Sequence, residues 1–359
     1  MTGLPAAAQA PPAEPQAAAR RLGQGTVRFL LPPRVVAGFA IVGPMEGKGP
    51  LAGYMDCVLE DTFYGERCWE RTESKMLKDA VHQVAARANC QESDIDLTIS
   101  TDLLNQCVSS SFAMRSLRIP HVGIFCACAG FAGGLALGAS LVDAGFARRV
   151  VVGASSHHDA AERQYRFPTE LGVQRPPTAQ WTVTGAGAAV VADGNAQGPA
   201  QITHATFGRV LDYGLKDPYD MGSAMAPAAA DTLVRHLDDT NRRVEDYDWI
   251  LTGDLGRVGS SILIDWLKER YQLDIDGRHS DCGVLMYDPA RQDVHSGGSG
   301  LGASACVVSG YLLKAMQKGL VNRVLLVGTG SLHSPTTYQQ GESIPVVAHA
   351  VSLERPGVT

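Results

Sequence analysis

Cys128 stands where two segments meet. Val122 to Ala127 reads as a short apolar strand, and Ala129 to Ala144 as a helix of small residues. The start of a helix presents unpaired N–H groups and the positive end of the helix dipole. That environment lowers a thiol pKa towards the thiolate, and it equally suits a bound carboxylate. The nearby Gly130, Gly133 and Gly134 let other backbone come close. A nucleophile, an anion-binding turn and a plain buried cysteine are therefore all open readings. Cys126, two residues earlier, is expected on the same side of the strand's pleat. No second Cys or His cluster has zinc-ligand spacing, so no metal site is expected. Cys57, Cys68, Cys90 and Cys107 read as incidental, and Cys282 and Cys306 as packing residues.

Other groups could join a site. His295 to Ser304 is a second Gly-rich turn that opens a helix. It lacks the Lys-Ser/Thr of a P-loop and the spacing of a dinucleotide fingerprint. It reads either as a tight turn for close backbone approach or as a binding loop. Asp102 and Asp254 each end a strand. The carboxyl ends of strands in open α/β sheets face the ligand crevice, although either residue could instead cap the next helix. His157 and His158 come just after another strand, and Arg163, Arg166 and Arg175 add positive charge nearby. Such a loop suits an anionic ligand or forms a solvated face. His349 lies on a late apolar strand and reads as a core histidine.

The elements that must position these residues occur twice. Asp94 to Leu103 is answered by Asp246 to Leu255, and Asp79-Ala80-Val81 by Asp231-Thr232-Leu233, both at an offset of 152. Arg149 to Ser155 is echoed by Arg323 to Thr329 at an offset of 174, which implies an insertion in the second half. So long a period reads as two duplicated α/β halves, with a shared site where they meet, rather than as a solenoid. The expected division is a disordered Ala/Pro-rich tail over 1–25, a first half over 26–200 and a second over 201–359. Helices are predicted over Lys75–Asn89, Asn105–Leu117, Ala228–Leu237, Ile262–Tyr271 and Ala303–Met316. Strands are predicted over Asp94–Ser100, Arg149–Gly153, Thr182–Val191, Trp249–Thr252 and Arg323–Val327. Strands alternating with helices imply parallel sheets covered on both faces. Tyr219 to Pro227 looks too rich in Gly, Met and Pro for a regular element.

Composition narrows the function classes. The 359 residues carry a net charge of −6, with basic residues scattered, which argues against nucleic-acid binding. Eight cysteines in this length are too few for a disulfide scaffold and read as reduced thiols of a cytosolic setting. Arg20 and Arg21 come after the Ala/Pro run instead of preceding an apolar core, so no secretion signal is expected. His121 to Val142 contains no charged residue, a length that raises the question of a membrane span. Its five glycines and its division into two parts read better as a buried strand followed by a buried helix.

The two-fold α/β repeat with a cysteine at the helix start of its first half resembles the thiolase-like superfamily of thiolases and ketoacyl synthases. The resemblance is closer to one family within it, stage V sporulation protein AD of spore-forming bacteria. It is carried by Asp102 to Gln106, Ser155-Ser156-His157, Ala161 to Gln164, Phe167 to Glu170, Asp220 to Asp231, Leu251 to Leu255 and Gly297 to Gly300. The implied fold is thiolase-like, with two α/β halves about a pseudo-two-fold axis, layered αβαβα. The implied function is a non-catalytic subunit that binds dipicolinic acid, or its calcium chelate. It would serve a spore channel assembly that takes the ligand up in sporulation and releases it in germination. Implied partners are the other stage V sporulation A-operon membrane proteins, with the chain docked peripherally on the spore inner membrane and paired as a homodimer. No cofactor is implied beyond calcium arriving with the ligand. Cys128 falls at the family's degenerate nucleophile position. Asp254 falls near the condensing enzymes' first His position, and Ser299 near their His or Asn position. Neither can act as a neutral imidazole or amide does. The ligand-binding residues expected on this basis are Cys128, Asp102, Asn105, His157, Arg163, Asp254, Ser299 and His349. An acyltransferase working through Cys128 is the alternative, with His349, His295 or His157 as its base.

Overall fold

The computed structural model describes residues 20–165 and 175–358; Arg166, Phe167 to Glu170 and most of the expected tail lie outside them. The first half supplies strands β1 (Arg34–Val42), β2 (Leu97–Thr101), β3 (His121–Gly123), β4 (Arg149–Ser156) and β5 (Gly185–Ala192). The second supplies β6 (Ala200–Phe207), β7 (Trp249–Thr252), β8 (His279–Asp281), β9 (Arg323–Ser331) and β10 (Val346–Glu354). Their orders correspond strand for strand, β3-β2-β4-β5-β1 and β8-β7-β9-β10-β6. In each, three parallel strands are followed by two antiparallel pairings. The sequence echo is thus a repeat in space: the offset of 152 superposes β2 on β7, and that of 174 superposes β4 on β9. β1 and β6 join the two sheets edge to edge through Val35–Ala200 and Arg34–Gln201.

Helices cover both faces. They are α1 (Trp69–Arg87), α2 (Val108–Met114), α3 (Gly130–Asp143), α4 (His158–Tyr165), α5 (Met221–Thr240), α6 (Gly256–Tyr271), α7 (Cys282–Met286) and α8 (Leu301–Cys306). A π-helical stretch, Val307–Leu312, and a last turn, Leu313–Gln317, continue α8. α1 and α5 lie on the outer faces of the two sheets. α3 lies between them, against β2 and β4 on one side and β9 and β10 on the other. That position explains its composition. A Cβ on Gly134 would come within 2.7 Å of Val152, and one on Gly133 within 3.1 Å of His349. Only a helix of small residues fits the gap, and Phe131 and Leu135 fill what remains.

Several expectations change. Met221 to Pro227, read as irregular, forms the first turns of α5, with Pro227 inside the helix. Burial of Met221, Ala224, Met225 and Ala228 outweighs the loss of one helical hydrogen bond. Val122 to Ala127 is not one strand: β3 ends at Gly123 and a turn comes after it. Asn105 to Leu117 is broken near its start, where Gln106 and Cys107 take left-handed backbone. Thr182 to Val191 divides into Trp181–Thr182 and β5. Among the described residues no helix is long and apolar enough to cross a membrane, and all eight cysteines are free thiols.

Candidate functional site

The turn that carries Cys128 is built by a left-handed residue. Ala127 has φ 46°, a conformation a non-glycine residue adopts at some strain. Ala129 N donates to Cys126 O at 3.2 Å, and Gly130 N to Ala127 O at 3.0 Å, closing the turn against the start of α3. The turn reverses the chain between Cys126 and Cys128, so the expected shared pleat side does not apply to them. Across from it runs β9. A Cβ on Gly330 would lie 2.4 Å from Cys126 O and 3.0 Å from Ala129 N. Gly330 is thus the residue of the second half that lets the first-half turn seat.

Asp254 meets this turn from the second half, just past β7. Its Oδ2 accepts from Gly300 N at 2.8 Å and its Oδ1 from Thr329 Oγ1 at 2.8 Å. The Cys128 side chain faces it from the first half. Gln180 Nε2 fixes the Asp254 main chain by donating to its carbonyl at 2.7 Å, and also donates to Gly298 O at 2.9 Å. Burial pushes the Asp254 carboxyl up to about 7. Burial first, and Asp254 second, push the Cys128 thiol well above its ordinary value. Of the open readings of Cys128, the buried neutral thiol is the one these directions favour: desolvation and a facing acid oppose the helix start. Gly300, with φ 92° at the N-cap of α8, turns its N–H to Asp254 rather than to an open oxyanion position.

Above the pair lies a narrow cleft with a cavity volume of about 30 Å³, whose walls come from both halves. Leu103, Ala127, Cys128, Ala161, Tyr165 and Thr182 line it from the first half; Met221, Ser299, Gly300, Ser331 and His333 line it from the second. Ser299 is held by main-chain pairing to Thr182, and Val183 N donates to its carbonyl at 2.8 Å. Tyr165 donates its hydroxyl to Leu103 O. Its ring lies 5.5 Å from that of His333, whose Nδ1 is 3.3 Å from Ser331 Oγ. Tyr165, His333, Ser331 and Met221 are site residues that sequence reasoning misses. One signal was present: the echo of β4 in β9 places the residues just past Ser331 at the carboxyl end of the sheet, beside the crevice.

Of the eight expected residues, Cys128, Asp254 and Ser299 come together. The other five stand elsewhere. Asp102 is buried and serves as a cap, its Oδ1 accepting from Leu104 N at 2.9 Å and its Oδ2 from Ser110 N at 2.7 Å. Asn105 is exposed, its N–H bonded to Gln164 Oε1 at 3.1 Å. His157 is tucked beneath Trp69 with Nε2 2.9 Å from Thr62 O, and burial lowers its pKa to about 4. Arg163 pairs with Glu70 and covers Trp69 at the surface. His349 is a core histidine whose Nδ1 accepts from Gly208 N at 3.2 Å, with its pKa lowered to about 4 by burial. His295 lies 3.4 Å from Asp293, and neither His295, His157 nor His349 lines the cleft with Cys128. Among the described residues no group of three or more His, Cys, Asp or Glu could hold a metal ion.

Comparison with known proteins places this geometry. A family model described as stage V sporulation protein AD (SpoVAD) matches residues 23–354. The chain is 45% identical over 335 residues to stage V sporulation protein AD of Bacillus subtilis (strain 168), covering 93% of this chain and 98% of that protein. The fold is similar to 3-oxoacyl-[acyl-carrier-protein] synthase III of Aquifex aeolicus VF5, with a TM-score of 0.56 at 14% identity over 90% of this chain and 99% of that one. It is similar as well to an acetyl-CoA acetyltransferase of Syntrophomonas wolfei, with a TM-score of 0.56 at 12% identity over 90% of this chain and 99% of that one. These two likenesses establish a thiolase-like fold.

Proposed function

The chain belongs to the stage V sporulation protein AD family, and from that premise we propose that it is a non-catalytic binding subunit for dipicolinic acid or its calcium chelate. It would act in a spore channel assembly that loads the ligand in sporulation and releases it in germination. The observation that carries the non-catalytic part is the Cys128–Asp254 contact. Acyl transfer to a cysteine needs a thiolate, and a base or cation to form it. Here an acid stands in that place, and burial together with its charge favours the neutral thiol. A condensing enzyme must also stabilise an oxyanion, and Asp254 already takes the Gly300 N–H. What remains is a cleft shaped between two halves, with small polar groups on one wall.

The ligand class rests on the family and on the chemistry of the walls. Tyr165, Leu103 and Met221 offer faces to a flat ring, and Ser299, Ser331 and Thr182 offer hydroxyls to its edge. The lining residues described include no Lys or Arg. A neutral calcium chelate therefore enters at less desolvation penalty than a free dianion. Both Asp254 oxygens already accept a hydrogen bond, so calcium would be held by the ligand's own carboxylates and water. Other membrane proteins of the stage V sporulation A operon are the partners this role requires, with peripheral docking at the spore inner membrane.

The test is calorimetric titration of the full chain with dipicolinate, with and without calcium, beside Cys128→Ala. Saturable binding that the substitution weakens without unfolding the protein supports the reading. Absence of binding in both conditions refutes it. The second reading, an acyltransferase, is favoured by one observation, that His333 shares the cleft with Cys128. Mass spectrometry after incubation with an acyl-CoA series separates the two: an acyl adduct on Cys128 establishes transfer, and its absence removes that reading.

A further inference from the structure

Two buried hydrogen-bond donors beside the cleft have no acceptor among the described residues. Arg175 Nη2 donates to Asp293 O at 2.8 Å and lies 3.2 Å from the Asp293 carboxylate. Its Nη1 is buried and makes no hydrogen bond. The guanidinium sits over the Trp181 ring, 5.0 Å from its centroid, and Trp181 Nε1 is likewise buried without a partner. The His158 ring also stacks on the indole, its centroid 3.5 Å away and its plane parallel to within 2°. His158 and Arg175 thus both pack on the indole, and both unsatisfied N–H groups belong to this stack.

The stack is one residue removed from the cleft wall. Trp181–Thr182 pairs with Gly298–Ser299, and both Thr182 and Ser299 line the cleft. His158 lies one helical turn before Ala161, another lining residue. Folded proteins leave few buried N–H groups without an acceptor. A guanidinium N–H and an indole N–H in one stack suit an oxyanion, which offers an oxygen to each. The one carboxylate in contact, Asp293, is largely exposed and engages the other guanidinium nitrogen; His295 lies beyond it, 3.4 Å from Asp293.

We propose that Arg175 and Trp181 form an oxyanion subsite at the edge of the cleft, which takes a carboxylate of the bound ligand. The subsite supplies the cation that the lining lacks. Naming the ligand as an aromatic dicarboxylate rests on the function proposed above; the oxyanion subsite itself does not.

Two titrations of the full chain test it: calorimetry with dipicolinate, and tryptophan fluorescence with inorganic phosphate as a simple oxyanion. Both are run on the wild type, Arg175→Gln, Arg175→Lys and Trp181→Phe, with thermal unfolding as the check that each variant folds. Arg175→Gln is expected to weaken binding about tenfold, the loss of one charge-assisted hydrogen bond, with partial recovery in Arg175→Lys. The phosphate-induced emission change is expected to vanish in Trp181→Phe. If dipicolinate fails to bind the wild type but phosphate perturbs Trp181 through Arg175, the subsite stands and the ligand assignment falls. If dipicolinate binds the wild type and Arg175→Gln alike, and phosphate leaves Trp181 emission unchanged, the subsite is overturned and the binding function stands. A wild type that responds to neither overturns both.

Discussion

Asp254 faces Cys128 closely enough for its charge to push the thiol pKa up, and the two residues come from opposite halves of the duplicated chain. That charge favours the neutral thiol and so opposes the thiolate that a nucleophile requires. Replacing the carboxylate removes that brake. Asp254→Asn is expected to speed alkylation of Cys128 by iodoacetamide at about pH 8 by about tenfold, because the thiolate no longer faces a negative group. Asp254→His, which supplies a base, should raise it further. Rates equal to wild type in both variants would sink the coupling.

Glu46 makes a pH prediction with a definite sign. It is buried with its carboxylate accepting from Thr184 N at 2.9 Å and from the Tyr287 hydroxyl of the second half, and burial pushes its carboxyl up to about 7. A folded pKa above the unfolded one means that the folded state holds the proton more tightly. The stability this contributes is fully present below about pH 4 and is lost as pH rises through about 7. Glu46→Gln is therefore expected to shrink the fall in Tm between about pH 5 and pH 8. Asp254 acts in the same direction. His157 and His349, buried neutral with lowered pKa values, act oppositely and weaken the fold as pH falls below about 6.5. An unchanged Tm difference in Glu46→Gln would show that this acid is not protonated in the folded chain.

Asp102 separates a structural role from a ligand role. Both its oxygens accept main-chain N–H groups at the start of α2. Asp102→Ala should lower stability by about 1–2 kcal/mol, the range for a lost cap, while dipicolinate affinity of the folded variant stays within about twofold of wild type. A large affinity loss at unchanged Tm would reverse this assignment.

Gly330→Ala places a methyl group against Cys126 O and Ala129 N. Overpacking of this kind destabilises by about 1–3 kcal/mol. The displaced turn should also expose Cys128, so that faster alkylation accompanies the lower Tm. Denaturant unfolding and thiol labelling of one preparation read both.

β3 is the free edge of the first-half sheet, and Val122 and Phe125 stand exposed there with Phe112 near by. The corresponding edge, β8, carries His279, Ser280 and Asp281 instead. An apolar strand edge left open invites pairing, and the proposed homodimer would form through β3. Val122→Lys is expected to convert a dimer to a monomer in sedimentation velocity. A wild type that sediments as a monomer, or a variant that stays dimeric, would exclude this edge.

The repeat made the fold readable. Constant offsets tied β2 to β7 and β4 to β9, and Trp249–Thr252 was bounded to the residue because charged and aromatic residues flank a short buried run. The start of α5 was not legible, since Gly222 and Pro227 suggest a loop while packing against β10 decides for helix. The site was legible where position along a strand sufficed, as for Cys128 and Asp254. It was not where a side chain's partner decided its fate. His157 is expected in the crevice from its place after a strand, but Trp69 and Thr62 hold it in the core. The thiol's ionisation could not be read from one helix start, because the group that opposes it arrives from the other half.

The joining of the halves sets how many molecules the chain can hold. The Cys128 turn and the Gly300 turn are counterparts in the two repeats, yet both open onto the same cleft. At this cleft, duplication produced one mouth with two unlike lips. Titration of the full chain should accordingly saturate at a single equivalent.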